Sequence, residues 1–258
     1  MSDTRQRRWV ALGTSSVLML WAGALLLSHG ACNSARKPME SPVSSQTRAS
    51  RSDPPAAKDG LAPVTRRQLH VTQGQVESLQ QEDGTQFAIE GPRQRAVVPE
   101  TTGDEAELRF TWLGATHEVI PLASGQHREQ VGLKLRARDG CNLLYAMWRI
   151  APSAGIVVQF KSNPDDHASG ECGNGGYTTV RPRFMEPLDR LSPGESHVLR
   201  ALIDANVLTV YADGVRVWEG LLPQDALRLE GPAGMRTDNA RVRFELLVPQ
   251  AASPTSRR

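Results

Sequence analysis

The segment "LTVYADGVRVWEG", residues 208–220, places Asp213-Gly214 between two runs of strand-forming residues. A two-residue turn of this composition is the strongest short-range signal for a β-hairpin, because both turn positions must accept a positive φ. The pattern recurs along the chain. "VGLKLRARDG" alternates Val131, Leu133, Leu135 and Ala137 with Lys134, Arg136 and Arg138, which predicts a strand with one buried face and one basic face. "CNLLYAMWRI" sorts Leu144, Ala146, Trp148 and Ile150 from Leu143, Tyr145, Met147 and Arg149. "GIVVQFKS" sorts Ile156, Val158 and Phe160 from Val157, Gln159 and Lys161, and "RVRFELLV" turns Val242, Phe244 and Leu246 inward. "AELRFTWLG" and "SHVLRALID" read as strands as well, whereas "LPQDALRLEG" has room for one or two helical turns and no segment forms a long amphipathic helix. Many short strands with turns every 8–12 residues predict an all-β fold, a two-sheet antiparallel β-sandwich of jelly-roll type.

The chain of 258 residues fits one such unit, and its flanks differ in composition. Arg5, Arg7 and Arg8 precede a stretch from Trp9 to Ala31 without a charged residue, long enough for a signal segment or a membrane-spanning helix. Residues 1–32 are therefore expected to be a signal peptide, a lipoprotein signal or an uncleaved signal anchor. Gly30, Ala31 and Cys32 resemble the lipobox of bacterial lipoproteins, with His29 where that pattern usually has Leu, and the resemblance implies lipidation of Cys32. Arg7-Arg8 also resembles a twin-arginine export signal, in a poorly matching context. Residues 33–68, rich in Ser, Pro and Arg, contain too few large apolar residues to offset the entropy of ordering, and read as a disordered linker. The sandwich is expected over 69–248, and 249–258 reads as a disordered tail.

Each of these readings exports the domain to the cell envelope, anchored in a membrane and facing the periplasm or the exterior. With Cys32 set apart, Cys141 and Cys172 remain, and an oxidising compartment favours a disulfide between them over free thiols or a metal site. Closing their loop of about thirty residues stabilises by roughly 3–4 kcal/mol on the chain-entropy argument.

"HVLRALIDANVLTVYADGVRVWEG" followed by "LEGPAGMRTDNARVRFELL" resembles the laminin-G and concanavalin A-like lectin/glucanase superfamily. Agreement of residues is confined to 197–247; the likeness of architecture extends over 69–248. The resemblance implies a jelly roll with one concave sheet that often binds carbohydrate, and it does not imply catalysis. The Glu-x-Asp-x-x-Glu strand of related glucanases, whose carboxylates flank the scissile bond, does not occur. No Gly-x-Ser-x-Gly elbow and no His-x-x-x-His pair occurs either, and no cofactor is implied. Asp165-Asp166 lacks the spacing of a calcium loop, and Asp238-Asn239 reads as a polar turn before the last strand.

If the Trp148 row is core, the opposite row and its neighbours form one surface. Tyr145, Arg149, Lys161, Tyr177, Arg181 and Arg183 are the candidate ligand-binding residues, because sugar rings dock on aromatic faces and arginine grips carboxylate or sulfate with two N–H groups. A one-residue slip in register would exchange the rows and bring Trp148 to the surface. Lys+Arg 30 against Asp+Glu 28 gives no global basic field, so nucleic acid is not the expected partner. The functional expectation is a non-catalytic binding module for polysaccharide, anionic where the cations gather. Two alternatives stand beside it: a structural or protein-binding envelope lipoprotein without a sugar site, and a sugar hydrolase or lyase using Tyr145 or Tyr177 with arginine in place of paired acids.

Overall fold

A computed structural model describes residues 60–79 and 84–249. Cys32, the signal segment, most of the expected linker and residues 250–258 lie outside the described residues.

Two antiparallel sheets face each other. The seven-stranded sheet runs β10 (Tyr177–Thr179), β9 (Gly155–Ser162), β8 (Asn142–Ala151), β7 (Glu129–Leu135), β15 (Gly234–Asp238), β5 (Arg93–Val97), β2 (His70–Gln73). The nine-stranded sheet runs β11 (Phe184–Met185), β14 (Val215–Leu221), β13 (Val207–Ala212), β12 (Ser196–Asp204), β6 (Glu105–Ala115), β16 (Ala240–Pro249), β4 (Phe87–Ile89), β3 (Glu77–Ser78), with β1 (Leu61–Pro63) paired to β16. The only helices among the described residues are single turns, α1 (Ser169–Cys172) and α2 (Gln224–Leu227).

The alternation read from the sequence sets which residues lie between the sheets. Leu144, Ala146, Trp148 and Ile150 of β8, Val131, Leu133 and Leu135 of β7, and Ile156, Val158 and Phe160 of β9 meet Leu108 and Phe110 of β6 and Val242, Phe244 and Leu246 of β16 in one core. Trp148 meets Phe110 edge to face at 5.7 Å between centroids. Each large side chain buried this way contributes about 1.5–3 kcal/mol relative to exposure. Asp213 and Gly214 take φ of 50° and 79°, as the hairpin between β13 and β14 requires.

The folded unit begins earlier than the Leu69 expected. Leu61, Ala62 and Pro63 pair with Pro249, Val248 and Leu247, and Val64 is buried, so a short strand joins the sheet where composition alone suggested linker. At the other end β16 runs on through Pro249.

Candidate functional site

The outer face of the seven-stranded sheet carries a cleft of about 610 Å³. Its floor is built from side chains on alternate positions of adjacent strands. Register places Arg95 beside Arg236, Arg236 beside Gly132, Gly132 beside Met147, Tyr145 beside Gln159, and Lys161 beside Tyr177. The cleft therefore crosses the strands from β5 to β10, five inter-strand steps or ~24 Å at about 4.8 Å per step. Its walls come from the loops that follow β6 and β9. The first contributes Leu122, Ala123, Ser124 and Arg128, and the second contributes Ser169, Gly170, Gly173 and Asn174. One loop enters the start of β7 and the other leaves the end of β9, so they stand at opposite strand ends.

Each wall has its own anchor. Asn239 sits at φ 52° where the chain passes from β15 to β16. Its side-chain oxygen accepts from Ile120 N at 2.9 Å, and its nitrogen donates to Ile120 O at 2.9 Å and to Arg128 O at 3.0 Å. The expected polar turn at Asp238-Asn239 is thus a tie that holds the first wall. The second wall is fastened by the Cys141–Cys172 disulfide, which forms as the cysteine count implied. Asp139 supports the same corner by accepting from Cys141 N at 2.8 Å and Asn142 Nδ2 at 2.9 Å, with His167 Nδ1 at 3.0 Å. A Cβ on Gly140 would lie 2.5 Å from Ser169 Oγ, so α1 can lie against this turn only over glycine.

The chemistry of the floor is cationic. Asp238, fully buried, accepts from Arg95 Nη2 at 2.7 Å, Arg236 Nε at 2.8 Å and Gln130 Nε2 at 2.6 Å. Burial opposes its ionisation, but Arg236 and Arg95 outweigh burial and hold the carboxyl at about 2. Arg236, 7 % exposed, lies 4.7 Å over the Tyr145 ring and donates Nη1 to the Tyr177 hydroxyl at 3.0 Å. Lys161, 2 % exposed, donates to Gly140 O at 3.2 Å and toward Cys172 Sγ at 2.9 Å, with its ammonium 4.5 Å from the Tyr177 ring centre. Lys134, 5 % exposed, has no hydrogen-bonding partner among the described residues. Burial, with repulsion from Arg95 and Arg236, pushes its amine down to about 8.

Arg95 and Arg236 pair with Asp238. Lys161 and Lys134, the latter behind the residues that line the cleft, are repelled by both guanidiniums and drawn by Asp139 at the corner of the second wall, so four cations share two carboxylates. The residues lining the cleft include no aspartate, glutamate or histidine. Such an excess is costly in a partly desolvated place and creates a local positive potential. The two tyrosines respond in opposite directions. Burial raises the Tyr145 phenol ahead of the opposing pull of Arg236. At Tyr177 burial acts the same way, but Arg236 and Lys161 overcome it and the phenol is lowered.

Of the residues singled out in the sequence, the structure brings Tyr145, Lys161 and Tyr177 together in the cleft. They are far less exposed than a solvated strand face implies: Tyr145 and Lys161 are buried beneath neighbouring side chains, and Tyr177 is half-buried. Docking of a sugar on a tyrosine face is also revised, because the Tyr177 ring is already engaged by Tyr145, stacked at 6.0 Å, and by Lys161. Tyr177 offers its hydroxyl instead. Arg149 lies on the same row of β8 outside the cleft, with Nε buried and unpartnered, and burial and Arg128 lower its guanidinium to about 10. Arg181 and Arg183 are not part of the face at all. β10 ends at Thr179, and Arg183 N already donates to Glu219 O in the other sheet, so the alternation that would align them with Tyr177 has stopped.

The sequence reading missed Arg95, Arg236 and Asp238 as a group. They lie on β5 and β15, whose sequences "RQRAV" and "GMRTD" show period-two alternation only weakly, because small and polar residues occupy inward positions that are nonetheless buried.

No protein-family model matches the chain, and no curated protein is similar to it in sequence. Among solved structures it is similar to the carbohydrate-binding module CBM66 from Bacillus subtilis, at 14 % identity over 69 % of this chain and 91 % of that one, with a TM-score of 0.46. It is also similar to domain 4 of AbnA, an extracellular arabinanase of Geobacillus stearothermophilus, in complex with arabinotriose (9 % identity, 70 % and 81 % covered, TM-score 0.38). A third is the galectin LEC-6 of Caenorhabditis elegans (9 % identity, 71 % and 98 % covered, TM-score 0.37). Likeness at this level carries no argument about function, which must come from the cleft itself.

Proposed function

We propose that the cleft binds carbohydrate, and that the carbohydrate is anionic. The observation that carries this reading is an open cleft lined by Arg93, Arg95, Arg128, Lys161 and Arg236 and by no carboxylate, among amide and hydroxyl side chains. Gln73, Gln130, Gln159, Ser124 and Asn174 supply donors and acceptors of the kind that sugar hydroxyls use. Arg236 and Lys161 supply charge-assisted donors for a carboxylate or sulfate. The length of the cleft suits an oligomer better than a single ring.

Titration calorimetry with a polyuronate, a sulfated glycan and a neutral glucan tests the proposal. Binding of an acidic glycan that weakens with added salt and is lost in the Arg236→Gln and Lys161→Gln variants is expected. Equal affinity for the neutral glucan refutes the anionic reading, and no binding to any of the three, with a protein recovered on cross-linking, replaces it with a protein-binding role.

The setting proposed for this activity is the cell envelope. The disulfide supports an oxidising compartment. Among the described residues no helix is long and apolar enough to cross a membrane; what supports attachment at Cys32 is the likeness of Gly30, Ala31 and Cys32 to a lipobox. Fatty-acid labelling that persists in Cys32→Ala would overturn lipid attachment there.

A further inference from the structure

Resting on the anionic-glycan reading, we propose that the cleft also cleaves its ligand. Tyr177 removes the proton α to a uronate carboxylate held by Lys161 and Arg236, and the chain breaks by β-elimination. The argument starts from what lines the cleft. With no aspartate, glutamate or histidine there, glycosidic hydrolysis by a pair of carboxylates has no residues to perform it. Arginine does not exchange protons near neutral pH, and the Lys161 ammonium gives two of its three N–H groups to Gly140 O and Cys172 Sγ, which leaves one to donate to a ligand and makes it a charge rather than a base. The tyrosines remain. Tyr145 lies buried under Arg236 with its phenol raised, which keeps it neutral. Tyr177 borders the cleft, and its oxygen already accepts a hydrogen bond from Arg236 at 3.0 Å, the contact that stabilises a phenolate. Lys161 stands 4.5 Å from the same ring.

The three groups supply what this elimination requires. A proton next to a carboxylate is weakly acidic because the carbanion adds charge beside a charge already present. Cations on that carboxylate offset the added charge, and a phenolate of matched basicity takes the proton. In the step, the C5–H bond breaks and its proton moves to the Tyr177 oxygen. Its electron pair forms the C4=C5 double bond, and the C4–O bond breaks with its pair on the glycosidic oxygen. The proton on Tyr177 passes to that oxygen and restores the phenolate. No water, metal or redox partner is consumed, and the two products together have the mass of the substrate.

The test incubates the purified full chain with polymannuronate, polyglucuronate or polygalacturonate. It follows the ultraviolet absorbance of the unsaturated uronate, while calorimetry measures binding on the same samples. Growth of absorbance is expected on at least one polyuronate, with a rate that rises with pH as Tyr177 ionises. Product masses should show no added water. Tyr177→Phe should cut the rate about 100-fold or more, the range that a general base supplies. Near-ultraviolet circular dichroism confirms the fold of the variant. Binding to polyuronates with no growth of absorbance refutes the elimination and leaves the binding proposal standing. No binding at all removes both. A Tyr177→Phe protein that turns over as fast as the native one refutes the assigned base.

Discussion

Replacing Lys134 with methionine removes an ammonium from a buried place while nearly preserving the side chain's length. In the folded protein burial and the neighbouring guanidiniums lower this amine from 10.5 to about 8. At about 1.36 kcal/mol per pKa unit, that fall corresponds to about 3 kcal/mol of destabilisation while the amine is charged in both folded and unfolded states. The sign follows from linkage. Below about pH 8 both states are protonated and the full penalty is present. Between about 8 and 10.5 the folded state has released its proton and the unfolded state has not, so stability rises with pH across this window. Lys134→Met should therefore be more stable than the native protein by about 2–3 kcal/mol at pH 7, about 5–10 °C in Tm for a domain of this size. The gain should shrink toward pH 10. Urea unfolding of both proteins at pH 7 and pH 10 measures it. An equal or lower stability at pH 7, together with a flat native profile between pH 8 and 10, would refute the charge argument. The same variant should bind acidic glycan more weakly, since a protein that tolerates an unpaired cation gives up stability for something. Undiminished affinity in a stabilised variant would detach Lys134 from the site.

Three further outcomes follow from the site's geometry. Asp238→Asn leaves Arg95 and Arg236 facing each other without a counter-charge and should cost about 3–5 kcal/mol, read as a lowered urea midpoint. The native contribution of Asp238 is present above its unfolded value near 4 and is lost as pH falls toward about 2, so acid unfolding of the native protein should steepen in that range and that of Asp238→Asn should not. Cys141→Ser with Cys172→Ser should lower stability by roughly 3–4 kcal/mol and weaken glycan binding, because the wall and the seat of Lys161 loosen together; alkylation mass with and without reductant checks the bond itself. Asn239→Gly keeps the φ that Asn239 adopts and removes three side-chain hydrogen bonds, so limited proteolysis should cut the loop of residues 116–128 faster than in the native protein, with the rest of the domain intact.

How far the sequence discloses this protein depends on which residues carry the alternation. β7, β8 and β9 have large apolar residues on every second position, so both the sheet and the phase that turns Trp148 inward are legible in the amino-acid order alone. The disulfide is legible because only two cysteines remain once Cys32 is assigned elsewhere. β15 escapes notice because "GMRTD" looks like a turn: Gly234 opens it, and the inward Met235 and Thr237 give only a faint apolar beat. Its place between β7 and β5 is set by pairing with strands about a hundred residues or more away in sequence, which no local pattern records. Arg181 and Arg183 are misplaced for the opposite reason. The letters "YTTVRPR" carry the alternation on past Thr179, but Pro182 lacks the N–H that a ladder needs, and the chain crosses to the other sheet there.

The separate fastening of the two walls makes this domain a natural host for loop grafting. The charged floor is held by strands, whereas the loop of residues 116–128 depends on Asn239 and the loop of residues 163–176 on Cys172. A replacement segment that preserves the backbone groups meeting Asn239 at Ile120 and Arg128, or keeps Cys172 in place, would change the contour presented to a ligand and leave the cation cluster untouched. Libraries built in this way could retune the sugar that is read while conserving the demand for a negative charge.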